Sequence, residues 1–404
     1  MRVLTAFLAA LSIAACQGPG DRATWLGRVE EIGNPGAPGG RYPRLAAGPD
    51  GTIVMSWLQP VGEGHELRYA RWLGSSWSAP ATVAAGADWF VNWADFPSVV
   101  PGPQGRLTAH WLQQTPGSVY SYEVRMAVSG DGGRSWSGSF SPHDDGTPTE
   151  HGFVSLLPRH ADVLAVWLDG RHTSAGHDHD ATAGGAMSLR STVLTGAGRV
   201  PAEDREVDGR VCDCCQTDAA MTRAGPVVVY RDRTDNEIRD IALVRLEGDG
   251  WSEPVRVHED RWTIDACPVN GPAVAARGNT VVVAWFTAPD VPRVRLAFSD
   301  DGGRTFGLPL EVASGRVTGR VDVVLLDDGR AVVSWLADGA EGTAIHARPY
   351  LPTGPAGAEV LIGQSSATRA SGFPRLLAVR EGLLFAWTQP GDSPRVVTAF
   401  ASLL

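Results

Sequence analysis

One unit recurs along this chain: a short strand, a glycine-containing turn, and an alternating strand that ends in an aromatic residue. Tyr42, Pro43, Arg44 and Leu45 lead to Trp57, and Phe96, Pro97, Ser98 and Val99 lead to Trp111. Phe153, Val154, Ser155 and Leu156 precede Trp167, and a fourth unit starts inside a cysteine-rich stretch and ends at Tyr230. The fifth opens on Cys267, Pro268, Val269 and Asn270 and ends at Trp285; the sixth ends at Trp335, and the seventh runs from Phe373 to Trp387. Successive aromatics stand 54, 56, 63, 55, 50 and 52 residues apart. A period of this length, with period-two alternation and no helical stripe, is what one four-stranded blade per repeat produces. The expected fold is an all-β propeller of four-stranded blades, seven by this count. The recurring aromatics read as packing between blades rather than as ligand platforms.

The seventh unit stops after its third strand, Arg395 to Phe400, while Ala23, Thr24, Trp25, Leu26, Gly27, Arg28 and Val29 look like a stray fourth strand. The N-terminus is therefore expected to complete the last blade and close the ring, which removes two open sheet edges. Ahead of it, Met1, Arg2 and the apolar run from Val3 to Ala15 read as a secretory signal, too short to span a bilayer permanently. Ile13, Ala14, Ala15 and Cys16 resemble a bacterial lipobox. The expected organisation is a signal over residues 1–15, a tether over 16–23 lipidated at Cys16, and the propeller over 24–404. Gln17 after the cysteine points to the outer membrane, facing the periplasm or the surface.

A net charge of −10 argues against nucleic acid as a partner. The chain has no lysine, so all 35 basic residues are arginines; lysine Schiff-base chemistry is excluded and planar carboxylate recognition is well supplied. Setting Cys16 aside leaves four cysteines, an even number that makes disulfides a candidate in an oxidising compartment.

Two third strands run into Ser129-Gly130-Asp131-Gly132-Gly133-Arg134-Ser135-Trp136 and Ser299-Asp300-Asp301-Gly302-Gly303-Arg304-Thr305-Phe306. Both fit Ser-x-Asp-x-Gly-x-x-aromatic, a hairpin in which the carboxylate accepts backbone hydrogen bonds and glycine supplies positive φ. Residues 74–77 and 248–251 look like worn copies. The pattern resembles the Asp-box (BNR repeat) of the sialidase-like β-propeller superfamily, in a bacterial lipoprotein form, and the resemblance covers essentially the whole mature chain. Sialidases have six blades, so six is the alternative count.

In a propeller the segments entering each innermost strand and leaving each second strand converge on one face, around the central channel. That places Arg41, Asp95, the cysteines 212, 214 and 215, Cys267, Asn270, Arg320 and Arg369 on one face, with Asp169, His172, Arg231 and Asp232 as exits. The exit of the third blade is long and carries His172, His177 and His179.

Three readings of that face stay open. Cys212, Cys214, Cys215 and Cys267 form up to two disulfides, in one of three pairings, with a bond across to Cys267 favoured over a strained Cys214–Cys215 ring. Alternatively these four sulfurs, with His172, His177 and His179, offer ligands suited to copper or zinc. Third, the resemblance implies an exo-sialidase site: an arginine triad for the sugar carboxylate, a Tyr/Glu nucleophile pair and an Asp acid/base. Gly40-Arg41-Tyr42-Pro43 resembles the family's N-terminal Arg-Ile-Pro signature, making Arg41 the first arginine; Arg231, Arg320 and Arg369 are candidates for the others. Asp95 is the candidate acid, Glu150 and Glu66 are candidate partners, and Tyr230 falls at a core position. The preferred expectation is recognition of an acidic or glycan-like ligand by Arg41, Arg231, Asp232, Asn270, Arg320 and Arg369, with Asp95 and Arg41 as catalytic candidates if the chain hydrolyses its ligand.

Overall fold

The computed structural model describes residues 24–173, 185–195 and 204–404. They form seven antiparallel sheets in ring order, with helix limited to short 3-10 turns. The count is therefore seven and not six. The first blade shows the pattern: Arg41–Ala47, Ile53–Val61, Gly64–Arg71 and Ala81–Gly86, each paired to the next. Blade two has three strands, Ser98–Pro101, Leu107–Gln114 and Tyr122–Ser129, and a single bridge from Met126 to Phe140 stands where a fourth strand would lie. The recurring aromatics Trp57, Trp111, Trp167, Tyr230, Trp285, Trp335 and Trp387 are all buried, as inter-blade packing requires.

The ring is closed by the N-terminus, a few residues later than expected. Glu30–Ile32 pairs with Thr398, Ala399 and Phe400, whereas the expected segment contributes only a bridge from Leu26 to Leu403. Trp25 is used otherwise: it is 2 % exposed and its indole N–H donates to the Ala358 carbonyl at 2.7 Å, pinning the tail to blade six.

Each innermost strand has only one partner within its blade, so the amides on its other edge need partners from outside the blade. Side chains of the preceding blade capture them. Val99 N–H donates to Ser56 Oγ (3.2 Å), Val274 N–H to Asp218 Oδ2 (2.9 Å) and Leu376 N–H to Asp322 Oδ2 (2.9 Å). At the strand entrances Tyr42 N–H donates to Thr388 Oγ1, Phe153 N–H to Asp95 Oδ1 and Arg320 N–H to Asn270 Oδ1, each at 2.8 Å. Those three residues have φ of 57°, 54° and 51°, the left-handed region that costs a non-glycine residue roughly 1 kcal/mol or more. A register shift accompanies each one, so the entrance bulges and turns across the channel.

The two Ser-x-Asp-x-Gly turns sit on the outer hairpins. Asp131 Oδ1 accepts from Ser129 Oγ (2.9 Å) and Ser135 N–H (3.0 Å), and Asp301 Oδ1 accepts from Ser299 Oγ (2.8 Å) and Thr305 N–H (3.0 Å). Gly133 has φ of 80°, and a Cβ there would meet the hydroxyl of Tyr69 in the neighbouring blade at 1.8 Å, so no other residue fits.

The captured amides give a paired prediction. Thr388 and Thr287 both lie at the end of a second strand and both are fully buried, but only Thr388 holds an amide, while the Thr287 hydroxyl has no partner among the described residues. Thr388→Val should cost about 1–3 kcal/mol of unfolding free energy, whereas Thr287→Val should be neutral or stabilising. Equal effects in urea denaturation would refute the assignment.

Candidate functional site

The entrances converge on one face, where apolar side chains from several blades pack together as a plug. Trp93 stacks on Phe373 (centroids 5.8 Å apart), Phe96 packs against the same ring (6.0 Å), and Tyr42 and Phe153 join the plug. Gln216 ties it together, donating to the Ala94 carbonyl (2.7 Å) and accepting from Gly271 N–H (3.0 Å). The exposed part of the face is thus a rim around an apolar plug.

Three of the expected ligand groups are spent on the scaffold. Arg231 is 1 % exposed; its guanidinium donates to the carbonyls of Asn270 (2.7 Å), Arg239 (2.6 Å) and Phe286 (2.7 Å) and lies over Trp262. Arg320 donates to the carbonyls of Ala367, Thr368 and Gly372 and to Ser371 Oγ, lies 4.8 Å over Trp93, and is pushed down to about 10 by burial. Asn270 Oδ1 holds the Arg320 amide while its Nδ2 donates to Pro268 and Thr318 carbonyls. These groups rivet neighbouring entrances together, and the hydrogen bonds of their donors go to the protein. Asp232 is half-buried and accepts from Arg233 N–H; burial lifts its carboxyl to about 6.

Arg41 and Arg369 differ. No carboxylate pairs with either among the described residues. Arg41 is half-buried and its Nε is buried without a hydrogen-bond partner, while Arg369 is exposed and reaches over Trp93 at 5.9 Å. Their entrances abut: a Cβ on Gly372 would fall 2.9 Å from the Tyr42 ring.

Beside the plug lies a constellation that the sequence reading assembled only in part. The Tyr122 hydroxyl sits 3.3 Å from Asp95 Oδ2 and 3.5 Å from Glu150 Oε1. Gly152 makes room for it, since a Cβ there would fall 1.9 Å from Asp95 Oδ2. Burial lifts Asp95 to about 7 and Glu150 to about 8, the latter with added repulsion from Asp95 and Asp213. Tyr122 carries no loop signal in the sequence: it opens a third strand and stacks 4.0 Å from Phe90.

Next to it stands a second, ionised cluster. His143 and His151 stack with centroids 4.0 Å apart, and each reaches Asp145 Oδ2 at 3.1 Å. His151 Nδ1 faces the carbonyls of Tyr122 and Thr149, both at 3.2 Å, and its Nε2 faces Asp145 and Asp169, so both nitrogens act as donors. Burial opposes that charge, but Asp145 and Asp169 outweigh it and hold His151 above its usual value. Arg171 completes the network at 2.7 Å from Asp169 and 2.8 Å from Asp204.

Of the four cysteines, Cys214 and Cys267 form a disulfide between the entrances of blades four and five, with Cα atoms 6.0 Å apart. Cys212 and Cys215 are buried free thiols in Cys-x-x-Cys spacing, a signal hidden inside the overlapping Cys-x-Cys-Cys run. The sulfurs of Cys212, Cys214 and Cys215 lie within 4.8 Å of one another. His172 does not join them; it is exposed, 3.6 Å from Glu206. His177, His179 and Cys16 lie outside the described residues.

No protein-family model and no curated protein sequence matches the chain. Among solved structures, a protein of unknown function from Dyadobacter fermentans superposes with a TM-score of 0.52 at 15% identity, over 96% of this chain and 100% of the other. The Hadza microbial sialidase Hz136 gives 0.47 at 13% identity, over 85% of this chain and 74% of its own. Trypanosoma rangeli sialidase, in complex with the inhibitor DANA, gives 0.47 at 12% identity, over 80% of this chain and 56% of its own. At 15% identity the likeness to the Dyadobacter protein is one of fold alone, and the two sialidase superpositions carry nothing about family or chemistry.

The Asp95–Glu150 pair generates a pH prediction. A carboxyl raised in the folded state contributes its full stability below its unfolded pKa, near 4, and loses it as pH rises through the folded value. Stability should therefore fall between about pH 4 and the folded values of about 7 and 8. Asp95→Asn and Glu150→Gln should be neutral near pH 4 and stabilising near pH 8, each by about 1–4 kcal/mol. A melting-temperature difference that does not change with pH would refute it.

Proposed function

We propose that this face binds an acidic, glycan-like ligand, with Arg41 and Arg369 as the groups that meet its carboxylate and Trp93 as the flat surface between them. The supporting observation is the availability of donors. Arg231 and Arg320 are consumed by carbonyls, and Arg233 and Arg239 by Glu237 at 2.9 and 2.8 Å, whereas Arg41 and Arg369 have no carboxylate among the described residues. On a chain of net charge −10, two such cations on abutting entrances, Arg369 lying over an indole, form a local exception that suits an anion. Asp95 and Glu150, held protonated towards neutral pH, are hydrogen-bond donors suited to sugar hydroxyls. Calorimetric titration with sialyllactose, using lactose as the neutral control, tests this. Binding should need the carboxylate and weaken with salt, and Arg41→Ala and Arg369→Ala should each cost about tenfold. Equal affinity for both sugars, or no loss in the double variant, would overturn it.

The Tyr122–Glu150 contact favours hydrolysis as a second reading, because the family resemblance implies a Tyr/Glu nucleophile with an Asp acid. On that reading Tyr122 attacks the anomeric carbon, Glu150 takes its proton in the molecules where it is ionised, a fraction that grows as pH approaches about 8, and Asp95 protonates the leaving group. Turnover of a fluorogenic sialoside should then vanish in Tyr122→Phe with binding retained; absence of turnover in the wild type leaves binding alone. The leader-like segment supports a further proposal, that the chain is lipidated at Cys16 and held at the cell envelope. Metabolic palmitate labelling that survives Cys16→Ser would end it.

A further inference from the structure

The cysteines in this structure make one bond and two thiols, and the arrangement is asymmetric. Cys212 and Cys215 are 1 % and 2 % exposed, whereas Cys267 is half-buried. Arg239 Nη1 lies 3.6 Å from Cys212 Sγ. Arg239 is itself oriented by Glu237 (2.8 Å), with Asp213 further off at 3.9 Å. A thiolate held beside a guanidinium, with a disulfide sulfur within 4.8 Å, is the arrangement that thiol–disulfide exchange requires.

We propose that Cys212 is the attacking thiolate of an internal thiol–disulfide relay whose acceptor is Cys214 and whose leaving group is Cys267. The Cys212 sulfur bonds to Cys214 Sγ, the Cys214–Cys267 bond breaks, and its electron pair leaves on Cys267, which takes a proton from solvent. One disulfide replaces another, so no oxidant or reductant is consumed. Negative charge moves from a buried sulfur to a half-exposed one. Burial opposes the Cys212 thiolate, but Cys215, Arg239 and Arg231 outweigh it and hold the thiol near 7, so the attacking form is present at neutral pH. The released Cys267 is the port through which small thiols and disulfides of the medium gain access.

The exchange has a structural consequence. The Cys214–Cys267 bond straps the entrance of blade five to that of blade four, across 53 residues of sequence. Three residues on, Asn270 holds both the Arg320 amide and the Arg231 guanidinium. Moving the bond to Cys212–Cys214 frees that entrance beside the plug. This inference is independent of the proposed ligand.

The test is alkylation of the native full chain with N-ethylmaleimide, followed by peptide mapping under non-reducing conditions. Expected at pH 7.5 is a population with labelled Cys267 and a Cys212–Cys214 disulfide in the same molecules. Cys212→Ser should abolish Cys267 labelling and leave the Cys214–Cys267 bond intact. Arg239→Gln, which keeps every cysteine, should slow labelling about fivefold at pH 7 and little at pH 9, because the thiolate is then a minority form only at the lower pH. The relay is overturned by an unlabelled Cys267 in the wild type, or by equal labelling in Cys212→Ser. It is equally overturned by a wild-type chain carrying two disulfides, or by a native mass with bound copper or zinc that blocks alkylation.

Discussion

The ring depends on how its inner strands dispose of amides that no strand can take. Seven edges face one channel, and a neighbouring blade cannot add a ladder there because blades pack face to face. Single side chains from the preceding blade take the amides: Ser56, Asp218 and Asp322 within the channel, Thr388, Asp95 and Asn270 at its entrances. Each capture is at once a hydrogen bond and a cross-blade link. A buried amide left alone costs about 1–3 kcal/mol, so the links also fix the angular register of one blade on the next. The left-handed residues Tyr42, Phe153 and Arg320 persist because their amides are held in this way.

The same demand produces the charge inside the ring. Asp218 and Asp322 serve as acceptors, and as half-buried carboxylates they are favoured by nearby cations. Arg44 answers Asp218 at 3.4 Å. Burial lifts Asp322 and lowers Arg375 to about 9; the two attract each other, and Arg375 also lies 4.8 Å over Phe96 beneath the plug. The plug, the channel charges and the captured amides are one system, and most arginines near the channel belong to it.

That is why the fold was legible in the sequence and the site only partly so. A blade-core aromatic must return once per blade, so the spacing of Trp57, Trp111, Trp167, Tyr230, Trp285, Trp335 and Trp387 carries the blade number directly. Strand alternation likewise sorts entrances and exits onto one face, and Cys214 and Cys267 do meet there. The fate of an arginine carries no such signal. Arg41 opens an innermost strand and Arg231 ends a second strand, and both read as face residues, but backbone carbonyls 8, 39 and 55 residues away consume Arg231, and carbonyls have no letter in a sequence. Tyr122 meets Asp95 and Glu150 from separations of 27 and 28 residues, through a gap that exists only because residue 152 has no Cβ. The closing strand was misplaced by a few residues because Trp25, which looked like a strand residue, serves as a plug against blade six.

Two carboxylate clusters stand on either side of Tyr122, and the supply of cations separates their chemistry. Asp145, Asp169 and Asp204 have Arg171 among them, Arg190 beside Asp204 at 2.5 Å, and His151 aimed at the first two. Hydrogen bonds from His143 and His151 overcome the burial of Asp145 and hold it well below the usual carboxylate range; Arg171 and His151 do the same for Asp169. Asp95 and Glu150 receive only a phenol and one amide N–H, so burial prevails and lifts them to about 7 and about 8. Tyr122 is the wall between them: its carbonyl faces His151 Nδ1 on the ionised side and its hydroxyl touches the protonated pair on the other. An ionised cluster with its own cations is internally balanced and has little to offer an anion. A protonated pair has hydrogen atoms to donate and no charge to repel one. The side of Tyr122 that carries Asp95 and Glu150 is therefore the one on which the proposed acidic ligand would meet no fixed negative charge, with Arg41 and Arg369 as the cations proposed to hold it.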